Sequence, residues 1–175
     1  MVHDLVYAPS DPAREALIAE RQELGLDHHD EVWEGYYVMS PAGNVKHGRL
    51  QSVLFQRLGN LAEARGLVSV AEINLGDRRD FRVPDGAILA ELADEIVWMP
   101  TALVVIEVLS KDDDSFRKFG FYFRKGVEEI LIVDPMNDTV QWFSRGSEVF
   151  VPVDGSRVLG ISSTALAEQL GFATN

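Results

Sequence analysis

Apolar positions along the chain switch between two periods, and the switch points outline the elements. In "HGRLQSVLFQRLGNLAEARG", Leu50, Val53, Leu54, Leu58 and Leu61 recur at helical spacing, predicting a long helix from His47 to the Gly66 stop. A shorter helix is predicted over 11–24, with Asp11 as N-cap, Pro12 at the first helical position and Gly25 as the stop. "EVWEGYYVMS" (Glu31 to Ser40) is rich in aromatic and β-branched residues and predicts a strand bent into a hairpin at Gly35, ending in a Pro41 to Asn44 turn. Further strands are expected at Leu67 to Leu75, Phe81 to Ala90 and Ala102 to Leu109, the last two separated by a loop holding "ELADEI". A helix over Ser115 to Lys125 follows. Then come "EEILIVDP" and "TVQWFSRG" as a strand pair turning at Pro135 to Asp138, a short strand near Val149, and a helix over Ser163 to Leu170. This order predicts an α/β sandwich with a central mixed sheet and helices on both faces.

Composition narrows the class. The 175 residues, 46% hydrophobic and 25% charged, suit one domain with a substantial core. The absence of cysteine removes disulfides and thiolate ligands, so any metal must sit on oxygen or imidazole. "MVHDLVYAPSDPAREAL" lacks a basic region leading into an apolar run, and no segment approaches the ~20 apolar residues of a membrane span, so a soluble, cytoplasmic protein is expected. A net charge of −12 argues against a general nucleic-acid coat protein, although a compact cleft can be locally positive on an acidic surface.

Two acids interrupt apolar strands: Asp85 in "FRVPDGAILA" and Glu107 in "ALVVIEVLS". A buried carboxylate needs a cation, a metal or hydrogen-bond donors. If the two strands pair, both side chains come to one end of the sheet, an arrangement that suits a hard divalent ion. The plainer alternative has Asp85 capping a turn with Gly86 and Glu107 paired with Arg79 or Arg82. Downstream, Asp114, Lys118 and Tyr122 recur at i, i+4 and i+8, so Lys118 can project toward Glu107 or simply pair with Asp114 on a solvated face. His47, at the start of the long helix, is either a packing or capping residue or a site residue, and Glu34 in the "WEG" bend is equally open. "DHHDE" (Asp27 to Glu31) reads as a solvated loop, because adjacent His28 and His29 would point in opposite directions on a strand.

Taken in order, "EVWEGYYVMSPAGNVKHGRL", "FRVPDGAILA", "VVIEVLSKDDDSFRKFGFYFRKGVEEILIVDP" and "TVQWF" resemble the PD-(D/E)XK nuclease superfamily, and within it a large bacterial clade of restriction endonucleases. The resemblance spans roughly 31–143 and rests on the ordered set rather than on any single motif. It implies a restriction-endonuclease-like fold over one nuclease-like domain, 1–175, with 1–30 as an N-terminal helical extension. It further implies that Asp85 and Glu107 hold Mg²⁺ or Mn²⁺ for phosphodiester hydrolysis of nucleic acid, with DNA as the expected substrate. The superfamily lysine commonly lies two places after the glutamate, where this chain has Leu109. The resemblance transfers its role to Lys118, and sets Glu34 and His47 at the border of the site as further catalytic residues. Cutting both strands implies a homodimer, for which Trp142 and Phe143 or the N-terminal helix are candidate contacts. Two other readings stay open: a nuclease scaffold repurposed as a binding or interaction module, which the acidic charge favours, and a different metal-dependent hydrolase.

Overall fold

The computed structural model describes residues 5–7, 12–40, 44–92, 96–111 and 114–172. The strands are β1 (Leu5–Tyr7), β2 (Glu31–Trp33), β3 (Tyr36–Met39), β4 (Val68–Ala71), β5 (Asn74–Asp77), β6 (Asp80–Arg82) and β7 (Gly86–Leu89). They continue with β8 (Trp98–Met99), β9 (Val104–Val108), β10 (Glu129–Asp134), β11 (Thr139–Arg145), β12 (Phe150–Val153), β13 (Gly155–Ser156) and β14 (Ile161–Ser162). The helices are α1 (Pro12–Glu23), α2 (Val45–Glu63), α3 (Phe119–Arg124) and α4 (Ser163–Leu170), and one 3-10 turn, Ser115–Lys118, leads into α3.

The central sheet has the order β12-β11-β10-β9-β7-β4 and is mixed: β9 and β10 are parallel, and the other pairs are antiparallel. A second six-stranded sheet runs β1-β3-β2-β6-β5-β8. β13 and β14 form a small ribbon. The predicted strands 67–75 and 81–90 each divide between the two large sheets, since a continuous apolar run does not reveal which sheet a residue joins. The expected Asp11 cap, Pro41 to Gly43 of the expected turn and Ala93 to Glu95 of the "ELADEI" loop lie outside the described residues.

Strand alternation sends neighbouring side chains of β9 to opposite faces. Val104, Ile106 and Val108 join a core with Leu54, Leu58 and Ala62 of α2 and Leu166 and Ala167 of α4. Val105 points to the other core, with Leu75 of β5 and Phe121 and Tyr122 of α3. Helices therefore cover both faces of the central sheet. Leu54 and Leu58 are fully buried, and each contributes roughly 1.5–3 kcal/mol by leaving water.

Three local devices shape the elements around the site. Asn44 caps α2 by accepting the backbone N–H groups of Lys46 and His47, so the helix starts two residues before the expected His47. The β2–β3 hairpin turns through Glu34 and Gly35, at φ 52° and 90°, the positive values that tight hairpin turns require. Gly86 allows a close approach, because a Cβ there would sit 2.2 Å from the Phe55 ring of α2.

Candidate active site

Gly86 lies opposite Ile106 at the end of the antiparallel β7–β9 pair, and Asp85 sits in the loop just before β7. Two carboxylates thus come to the C-terminal end of β9, and the charge of Asp85 is felt by Glu107. The Val108 backbone N–H donates to Asp85 Oδ2 at 2.5 Å, fixing the strand end to the loop before β7. Gln51 Nε2 donates to Asp85 Oδ1 at 2.8 Å, and His47 Nε2 lies 3.4 Å from the same oxygen. Both side chains come from α2, four positions apart and hence on one face.

Glu107 occupies the α3-facing side of β9 and is 3% exposed. Tyr122, fully buried on α3, donates its hydroxyl to Glu107 Oε1 at 2.5 Å. Ser115 Oγ stands 3.4 Å from Oε2. Lys118 Nζ is 3.2 Å from Glu107 Oε1, which gives the buried acid its cation. Lys118 also reaches Glu31 Oε1 at 2.9 Å. Arg82 instead pairs with Asp80 and lies over the Trp33 and Phe121 rings, and Asp114 pairs with Arg117. Lys118 is thus a site cation and not the surface partner of Asp114.

The electrostatics follow from crowding charge in a dry place. Burial pushes the Glu107 carboxyl up to about 8; Lys118 pulls against this, while the charges of Asp85 and Glu31 add to it. Burial acts to lower the Lys118 pKa, but Glu107 and then Glu31 outweigh it and hold the ammonium above its ordinary value. The Tyr122 phenol is raised, through burial first and the neighbouring Glu107 second.

Four of the sequence-predicted site residues therefore converge: Asp85 with His47, and Glu107 with Lys118. Glu34 does not join them. Its side chain is 74% exposed at the hairpin tip, 3.5 Å from Arg124. Glu31, three residues earlier, is the acid that enters the site. Its Oε1 accepts the Val83 backbone N–H at 2.8 Å, and its Oε2 accepts Trp33 Nε1 at 2.5 Å. Gln51 was also unanticipated, although its i+4 spacing from His47 was a usable signal. The reading of Asp27 to Glu31 as a solvated loop fails at its second half. Asp30 is buried, held by Arg21 of α1 at 2.6 Å, by the Tyr37 hydroxyl at 2.7 Å and by the Ser40 N–H at 3.1 Å.

Among the described residues, no group of three or more His, Asp or Glu forms a ready metal cage. A hard divalent ion does not require one, since it often uses one or two carboxylates with water and substrate oxygens. The donor chemistry fits such an ion: a single ammonium is shared by Glu31 and Glu107, and Asp85 adds further negative charge while remaining 21% exposed to solvent.

An α/β scaffold with acids at the end of a central strand defines the architecture as restriction-endonuclease-like. Residues 19–169 match the model of the Uma2 family, described as "Putative restriction endonuclease", and the chain belongs to that family. The fold is shared with a solved protein from Anabaena variabilis ATCC 29413, titled a "putative nuclease belonging to DUF820". That likeness has a TM-score of 0.65 at 18% identity and covers 81% of this chain and 90% of the other. Weaker likenesses, both with TM-scores of 0.41, involve small parts of long chains. One is the DrdV–DNA complex, at 20% identity with 71% and 11% covered; the other is the type IIG restriction endonuclease BpuSI, at 16% identity with 72% and 15% covered. No curated protein matches in sequence. No described helix is long and apolar enough to cross a membrane.

Proposed function

We propose that the chain is a metal-dependent endonuclease that hydrolyses phosphodiester bonds of nucleic acid, with DNA as the substrate. The observation that carries this reading is the buried Glu107 at the end of β9, with the Lys118 ammonium 3.2 Å away and Asp85 tied to the next residue through the Val108 N–H. Asp85 and Glu107 would hold Mg²⁺ or Mn²⁺. When bound, such an ion acidifies water and offsets charge building on the phosphoryl oxygens.

The chain's own residues do the rest. His47 and Gln51 hold Asp85 in place, Tyr122 and Ser115 hold Glu107, and Lys118 supplies a compact positive charge for the phosphoryl group or the attacking water. Water displaces the leaving oxygen directly, so no covalent enzyme intermediate is needed. Lys46, Arg49 and Arg117 are exposed beside His47 and Lys118 in the chain, and offer phosphate contacts on an otherwise acidic protein. Family membership and the Anabaena likeness support the scaffold.

Cutting both strands of a duplex calls for two sites, so the working form is proposed to be a homodimer. Trp142 is 1% exposed and belongs to the core, which removes it as the expected contact. α1, with no buried residue, is the better candidate. Supercoiled plasmid incubated with the protein and Mg²⁺ or Mn²⁺ tests the function. Nicked and linear products that vanish with chelator are expected; intact plasmid over a wide range of protein concentration contradicts the reading and favours a binding module.

A further inference from the structure

We infer that Glu31, which stands outside the metal-holding pair, is a positioning residue: it clamps the Lys118 ammonium in the orientation the reaction uses. This rests on the nuclease reading above.

Glu31 opens β2 in the second sheet, whereas Glu107 lies on β9 of the central sheet. Lys118 reaches between the sheets and is nearer to Glu31, at 2.9 Å, than to Glu107, at 3.2 Å. A lysine stem is long and freely rotating, so one carboxylate alone would leave the ammonium several rotamers. Two carboxylates from different sheets define its place.

Glu31 is itself immobilised. Its side chain is buried, its Oε1 is fixed by the rigid Val83 amide, and its Oε2 is fixed by Trp33 Nε1. The Trp33 ring is in turn held by the Arg82 guanidinium, 4.5 Å from its centroid. Strand, loop and indole therefore aim one carboxylate at one ammonium. The Lys118 side chain keeps 13% of its surface open, so a charge held from behind can still face a phosphate or a water. A buried acid with a purely structural task needs no such partner: Glu129 is satisfied by Ser156 and by two backbone N–H groups.

The test uses the full chain as Glu31→Gln, Glu31→Asp and Trp33→Phe, with supercoiled plasmid and Mn²⁺. Glu31→Gln is expected to lower kcat by about 10- to 100-fold, the scale of misplacing a catalytic group, with KM within about twofold and the Mn²⁺-induced rise in Tm retained. Glu31→Asp should recover part of the loss. Independently of cleavage, the Lys118 side-chain ammonium, identified through Lys118→Arg, should give a resolved, slowly exchanging proton–nitrogen resonance in the wild type that disappears in Glu31→Gln. Wild-type kcat in Glu31→Gln, a fall in Tm alone, or an unchanged ammonium resonance overturns the inference. Should Glu31→Gln fail to fold, Trp33→Phe removes one donor while keeping a ring; a smaller fall in kcat is expected, and an unchanged kcat overturns the inference. A wild type that cuts nothing defeats the nuclease reading, and the ammonium resonance then decides alone whether Glu31 holds Lys118.

Discussion

Glu107 and Glu129 are both buried acids on adjacent parallel strands, and they are treated in opposite ways. In the β9–β10 register Glu129 lies beside Val104 and Glu107 beside Ile132, so they mark opposite ends of one ladder. Glu129 accepts Ser156 Oγ at 2.5 Å and the N–H groups of Arg157 and Val158 at 2.9 and 3.3 Å. Those donors are uncharged and close the turn before β14. Glu107 meets a phenol and an ammonium shared with Glu31, and feels the charge of Asp85, at the carboxyl end of its strand, where α/β sheets place their ligands. The lesson is that burial alone does not mark a catalytic acid. Charged and exchangeable partners do.

The largest expected effect separates the two lysines near Glu107. Lys118→Ala should reduce kcat by about 100-fold or more, because a charge acting on water or phosphate is lost. Lys118→Arg should rescue poorly, since a planar guanidinium does not replace a compact ammonium. Lys111→Ala, at an exposed position, should cut like the wild type in the same plasmid assay. A dead Lys111 variant beside an active Lys118 variant would move the catalytic lysine and break the comparison.

The second effect is on stability. In protein stripped with chelator, added Mn²⁺ at a hundredfold over its Kd should stabilise the fold by about 2.7 kcal/mol, raising Tm by several degrees. Asp85→Asn should lose most of that shift and Glu129→Gln none of it, as differential scanning would show. Glu129→Gln should instead cost about 1–3 kcal/mol in urea unfolding, because donors built for a carboxylate are left poorly matched.

A smaller effect concerns pH. The folded-state pKa of Glu107 is raised from 4.5 to about 8, so the stability linked to its proton is fully present below about pH 4.5 and is lost as pH climbs through 8. Metal-free wild type should therefore lose stability between pH 5 and 9 relative to Glu107→Gln, in matched urea titrations. Parallel curves for the two proteins would show that Glu107 is already ionised by its partners.

Much of this contrast was legible in the sequence, and the gaps have physical causes. A carboxylate inside "VVIEVL" identified Glu107, and the helical spacing offered Lys118 as its cation, while the role of the Tyr122 hydroxyl was not read. Glu31 escaped because Glu31 and Glu34 share one short hairpin. Only the tertiary docking of β2 against β6 and the loop after it decides which acid is buried. Trp142 looked available in an alternating strand, but α4 covers that face.

The most direct measurement is plasmid nicking by Glu107→Ala and Glu129→Gln side by side with wild type, in Mn²⁺ at a temperature where all three are folded. The account predicts that Glu107→Ala is inactive while Glu129→Gln cuts at the wild-type rate. Equal activity in Glu107→Ala and wild type, or loss of cutting in Glu129→Gln alone, would contradict it.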